Sequence, residues 1–144
     1  MPRVSSKDKY TVQVFELFKH YGLSLNMEQI AQELGLTKKT LYNNFTSKQE
    51  LIGTVVSYFY SILEREMTLA IDDSENAIHA MFNVSRVIAD EISKLGETLL
   101  KDMSLYHACD EIFAFTSRSN FYSKFMVDNL KRGIAEGLFR PTLD

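Results

Sequence analysis

A chain of 144 residues in which 45% are hydrophobic is about the size of one domain and has the material for a real core. No apolar run nears the roughly 18 residues needed to cross a bilayer, and nothing at the start reads as a leader, so a cytoplasmic protein is expected. The net charge of −3 is unevenly spread: residues 1–50 hold seven basic and five acidic side chains (+2), residues 51–144 nine and fourteen (−5). Cys109 is the single cysteine and cannot form an internal disulfide, and no Cys or His cluster has metal-ligand spacing, so no metal or cofactor is expected.

Two prolines, six glycines, no Asn-Gly or Asp-Gly hairpin signal and no sustained polar–apolar alternation argue for an all-α protein. Residues 1–6, with Arg3, read as a loose arm. A first helix is expected from about Lys7 to Tyr21, started by Ser5 or Ser6 and stopped by Gly22, with Val14, Leu17, Phe18 and Tyr21 as its packing stripe. Asn26 with Gln29 forms a capping box that opens a short helix over 27–34. Gly35 then ends it in a left-handed turn, and Leu36 points inward.

Thr37 caps the next helix, from Lys38 to Asn43 or Asn44, and Ser47 with Glu50 reads as a further capping box. A helix, a tight turn of about 3 to 4 residues and a second helix is the helix-turn-helix arrangement, whose second helix enters the major groove. From Thr37 to Gln49 there is no Asp or Glu to repel phosphate. Lys38 and Lys48, with Thr37 and Tyr42, are candidates for phosphate contacts; Lys39, Thr40 and Asn43 are candidates for base edges. The alternative is that these lysines form a solvated face and the motif serves packing alone.

The segments Phe15–Gly22 and Met27–Leu51 resemble the TetR family of bacterial transcriptional regulators. The shared pattern is carried by Leu17, Phe18, Gly22, Ile30, Ala31, Gly35, Leu36, Thr37, Thr40, Leu41, Tyr42, Phe45, Ser47, Lys48 and Leu51. Lys39 departs from it, standing where the family often has a small residue, and the link from Gly22 to Ile30 is one residue short. The resemblance implies a three-helix DNA-binding head over residues 1–50, joined by a long helix to a small helical body over 51–144 for ligand binding and dimerisation. The closing run Leu130–Asp144 is similar to the family segment that precedes two final helices, so the body is expected to lack that pair, which commonly supplies the dimer's bundle.

The helix opened by Ser47 keeps its apolar stripe from Leu51 to Met67, too long for the head alone; the resemblance implies that it carries displacement between head and body. Asp73 or Ser74 should cap a helix to about Leu95; shorter and longer helices follow over 97–106 and 110–136. The body is dense in aromatic and Met residues. Phe59, Met67, Met81, Phe82, Met103, Tyr106, Phe113, Phe121, Tyr122 and Phe125 are candidate walls of the apolar inducer cavity that the resemblance implies, although the same residues at helical spacing suit a bundle core. His107, Cys109 and Asp110 lie close in sequence, but nothing nearby reads as an oxyanion-hole loop, and no enzyme is expected.

Together with these observations, the resemblance implies a ligand-responsive repressor that binds a palindromic double-stranded DNA operator as a homodimer, released by a small apolar inducer, with no membrane association. The alternative is a helical protein-interaction or heterodimerising module that keeps the reader fold without binding an operator by itself.

Overall fold

The structure, a computed structural model, describes residues 4–105 and 120–142. All elements among the described residues are helices: α1 Ser6–Tyr21, α2 Met27–Glu33, α3 Lys38–Asn44, α4 Lys48–Asp72, α5 Ala77–Ser93, α6 Glu97–Leu105 and α7 Phe121–Ala135. They fall into two units. One takes the chain up to Tyr60 and resumes at Lys94 to include α6; the other takes Ser61–Ser93 and, after it, α7 with the tail that follows.

In the first unit α1 starts at a complete capping box. Ser5 Oγ accepts from the Asp8 N–H at 3.1 Å and Asp8 Oδ2 accepts from the Ser5 N–H at 3.2 Å. The buried stripe of α1 is Thr11, Val14, Phe15 and Phe18. This corrects the sequence reading: Leu17 is only half-buried and Tyr21 is 43% exposed. Positions 11, 14, 15 and 18 form the tighter three-and-four-residue row, and Phe15 was missed. Its ring meets Tyr58 edge-on at 5.6 Å and Phe59 at 6.0 Å, which seats α1 on α4. Helix α6 also packs on α1, with Leu99 and, just before the helix, Leu95 buried.

Ser47 Oγ accepts from the Glu50 N–H at 3.1 Å, as expected of a cap. The Glu50 carboxylate does not close the box on Ser47. It accepts from the Thr46 N–H at 2.7 Å and Oγ1 at 2.5 Å, and from Lys7 Nζ at 2.8 Å, which ties the start of α1 to the start of α4.

The second unit is built on Met67, Ala80, Val84 and Phe125, with Ile71, Met81, Val87, Ile88, Phe121 and Met126 packed around them. Its α5 starts later than the sequence suggests. Asn76, not Asp73 or Ser74, is the cap, its Oδ1 accepting from the His79 N–H at 2.9 Å. Ser74 is buried instead, with Oγ donating to the Ala70 carbonyl at 2.6 Å and accepting from Asn83 Nδ2 at 3.0 Å. The first N–H of α5, that of Ala77, is taken by Glu136 Oε2 at 2.8 Å, and the Ala77 carbonyl accepts from the buried Asn129 Nδ2 at 2.9 Å.

Helix α7 ends in a full Schellman turn: Gly137 has φ +73°, its N–H reaches the Ile134 carbonyl at 3.0 Å, and the Leu138 N–H reaches Gly133 at 2.9 Å. Gly133 is needed there too, because a Cβ would stand 2.0 Å from the Phe139 ring that folds back over it.

Two outcomes are expected. The hydrogen bonds from Lys7 and Thr46 hold the Glu50 carboxyl down at about 2 from its ordinary 4.5. A depressed acid stabilises the fold above its unfolded pKa and loses that contribution as pH falls towards the folded value. Thermal unfolding followed between pH 5 and 2 should therefore fall less steeply in Glu50→Gln than in the parent. Asn129→Ala should cost roughly 1–2 kcal/mol in urea unfolding, because a buried hydrogen bond between α7 and α5 is lost.

Candidate nucleic-acid interface

The α2–turn–α3 unit is held by reciprocal local bonds. Asn26 Oδ1 accepts from the Gln29 N–H at 2.8 Å while Gln29 Oε1 accepts from the Asn26 N–H at 2.9 Å. At the turn Gly35 has φ +67°, its N–H reaches the Gln32 carbonyl at 3.1 Å, and the Leu36 N–H reaches Ala31 at 2.8 Å. A Cβ on Gly35 would meet nothing within 4 Å, so glycine is needed for its backbone and not for space. Thr37 Oγ1 then accepts from the Thr40 N–H at 3.1 Å and starts α3. Leu41 and Phe45 have no solvent exposure. They fix which side of α3 faces inward.

The opposite side of α3 is exposed and carries Lys38, Lys39, Tyr42 and Asn43, with Thr37 beside them at the cap. Among the described residues neither lysine forms an ion pair. Thr40 is half-buried, and its hydroxyl lies 2.8 Å from that of Thr37. Five of the seven candidate DNA contacts thus share one open, acid-free surface, with Thr40 at its edge. Lys48 is placed differently: its Nζ donates to the Leu23 carbonyl at 2.5 Å. Burial lowers its pKa and the nearby Asp102 partly restores it.

Residues 15–55 match the family model for bacterial regulatory proteins of the tetR family. The N-terminal head is similar to that family. The chain is 28% identical over 96 residues to the HTH-type transcriptional regulator YvaF of Bacillus subtilis (strain 168), covering 66% of this chain and 50% of that one. It is 26% identical over 132 residues to the HTH-type transcriptional repressor KstR2 of Mycobacterium tuberculosis, covering 89% and 66%. The chain therefore spans half of the first relative's length and about two-thirds of the second's. Two solved structures share the fold, each with a TM-score of 0.68. They are the ketosteroid transcriptional regulator KstR2 of Mycobacterium tuberculosis (23% identity; 99% of this chain, 77% of that one) and the TetR family regulator PfmR from Thermus thermophilus (21%; 95% and 76%).

The head has neighbours that sequence reasoning did not find. The Lys7–Glu50 pair and the hydrogen bond from the Leu23 N–H to Asp102 Oδ2, 2.8 Å across 79 residues, leave no local signal in the sequence. The candidate ligand residues separate between the two units. In the first, Phe59 and Met103 line a small apolar cavity of about 30 Å³. In the second, Phe121 and Phe125 line a cleft of about 820 Å³ whose rim holds Glu64, Asp72, Lys124, Asp128 and Arg132. Met67 and Met81 pack in the core of the second unit, while Phe82 is 72% and Tyr122 51% exposed. Tyr106 and Phe113 lie outside the described residues, as do Arg3, His107, Cys109 and Asp110. Among the described residues no cluster of His, Cys, Asp or Glu has the makings of a metal site, and no helix is long and apolar enough to cross a membrane.

Gly35→Ala should cost roughly 1–2 kcal/mol, the strain of a left-handed alanine without a clash. Leu41→Ala should cost about 2–5 kcal/mol, because it opens a cavity under α3. Denaturant unfolding of the two variants reads both values.

Proposed function

We propose that the chain acts as a tetR-type transcriptional regulator, a ligand-responsive repressor that binds a palindromic double-stranded DNA operator as a homodimer in the cytoplasm. The observation that carries this reading is the exposed face of α3, where Lys38, Lys39, Tyr42 and Asn43 stand on a capped helix-turn-helix and neither lysine pairs with an acid among the described residues. In this reading α3 lies in the major groove. Thr37, Lys38 and Tyr42 hold phosphate, and Lys39, Thr40 and Asn43 meet base edges. Residues 1–50 read DNA and residues 51–144 bind ligand and dimerise.

Two heads on one dimer would engage two half-sites about one helical turn apart, or a multiple of it, which turns the second contact into an intramolecular one. A small apolar inducer would oppose DNA by favouring another head separation, the two ligands being linked by a coupling free energy. KstR2, a relative described as a ketosteroid regulator, supports the expectation of an apolar effector. The cleft flanked by Phe121 and Phe125, at about 820 Å³, has more room for such a molecule than the cavity of about 30 Å³ in the first unit.

The test is fluorescence anisotropy with random-sequence duplexes over a salt series, combined with light scattering. The parent should be a dimer and bind with strong salt dependence. Lys38→Ala should weaken binding to all sequences and lower the slope of log K against log salt by about 0.9, the signature of one lost phosphate contact. Lys39→Ala and Asn43→Ala should instead alter preference among sequences after operator selection. A monomer that ignores DNA would favour the interaction-module alternative.

A further inference from the structure

The residue that follows α1 and its glycine stop is held at both of its polar backbone atoms. The Leu23 N–H donates to Asp102 Oδ2 on α6 at 2.8 Å, and the Leu23 carbonyl accepts from Lys48 Nζ, in the first turn of α4, at 2.5 Å. Leu23 itself is 3% exposed. The approach of α6 is close enough to require glycine on both sides. A Cβ at Gly22, whose φ is +71°, would stand 2.1 Å from Asp102 Oδ2, and one at Gly96 would stand 3.0 Å from the Lys19 carbonyl. Beneath these polar contacts the join is apolar: Phe18, Leu23, Leu99 and Met103 border the small cavity of the first unit. Apolar contact is non-directional and lets α6 slide along α1 at little cost. Hydrogen bonds with fixed geometry do not.

We infer that Lys48 and Asp102 are positioning residues, a polar latch closed through the backbone of Leu23 that registers α6 on the DNA-reading head, so that DNA affinity depends on the latch. The inference rests on the DNA-reading role proposed above. It gives Lys48 a role different from that of a phosphate contact, because its ammonium is turned onto the protein and acts on DNA through the position of the head. The latch also offers a route by which a displacement of α6 reaches the α1–α2 turn and the start of α4 together.

The sign of one substitution separates this from simple electrostatics. Asp102 is an acid attached to a DNA-binding head, so if only its charge mattered, Asp102→Ala would tighten binding to phosphate. The latch requires the opposite. With the full chain and random-sequence duplexes, Asp102→Ala and Lys48→Met should each weaken binding roughly ten-fold, with salt slopes equal to that of the parent. The double variant should bind no more weakly than either single one, since both remove the same latch. Asp102→Asn, whose amide oxygen still accepts from Leu23, should restore most of the affinity.

Amide exchange supplies a readout that does not need DNA: the Leu23 N–H should be protected in the parent and exchange faster in Asp102→Ala. Tighter or unchanged binding by Asp102→Ala, or a Lys48→Met slope lowered by about 0.9 as for a phosphate contact, would overturn the inference. Should Asp102→Ala fail to fold by circular dichroism, Lys48→Met and Asp102→Asn decide it on the same criteria. A parent that ignores DNA while its Leu23 amide is protected would sink the functional reading and the DNA dependence, leaving the latch itself supported.

Discussion

A seven-residue helix cannot hold itself in water, and α3 is seven residues long. Everything about the proposed reader depends on how that deficit is met. Leu41 and Phe45, both without solvent exposure, anchor α3 on the head, and Thr37 satisfies one of its free N–H groups. The anchor also does the orienting. With Leu41 inward, Lys38, Lys39, Tyr42 and Asn43 are left outward, so the burial that keeps α3 folded selects the side chains that can meet DNA. The turn before it has no freedom to spare, since Gly35 supplies a backbone conformation that other residues reach only under strain.

Charge follows the same local logic. The whole chain is acidic, at −3, yet phosphate feels the surface it approaches within a Debye length of about 8–10 Å. On α3 that surface has two lysines without ion pairs among the described residues and no acid. Three acids of the first unit are engaged within the protein. Glu50 is bonded to Lys7 and Thr46, Asp102 to the Leu23 backbone, and Asp8 to the start of α1. An acid tied into a cap or a pair presents less of its charge to an approaching polyanion than a free one.

What could be read in the sequence was what local chemistry determines. The capping box at Asn26, the turn at Gly35, the cap at Thr37 and the acid-free helix after it each need only a few neighbouring residues, and each stands in the structure where the spacing placed it. The fold class followed from the same signals. The misreadings came where a distant partner decided. Asp73 and Ser74 look like caps, but the start of α5 is fixed by Asn76 and by Glu136, 59 residues beyond Ala77. Leu17 and Tyr21 extend a plausible stripe on α1, but Phe15 takes the buried place because Tyr58 and Phe59 are there to receive it. The aromatic and Met residues of the body were uniform in the sequence. Burial then sorted them into core, cavity wall and exposed face, and periodicity alone does not carry that distinction.

The two units solve one problem in the same way. In each, packed helices share an apolar contact, and a residue at a helix end is gripped at both its N–H and its C=O by side chains from other elements. Leu23 is held by Asp102 and Lys48; Ala77 is held by Glu136 and Asn129. In both cases a carboxylate takes the N–H, the stronger arrangement because the acceptor is charged. The difference lies at the carbonyl. Asn129 is a neutral, buried donor, so the grip on Ala77 is indifferent to competing anions and serves stability. Lys48 is a partly exposed cation whose ammonium has further N–H groups, so the grip on Leu23 is open to rearrangement by a neighbouring charge. A fold that needed only rigidity could have used the neutral grip twice, and the ionic one stands in the head, beside the surface proposed to meet phosphate.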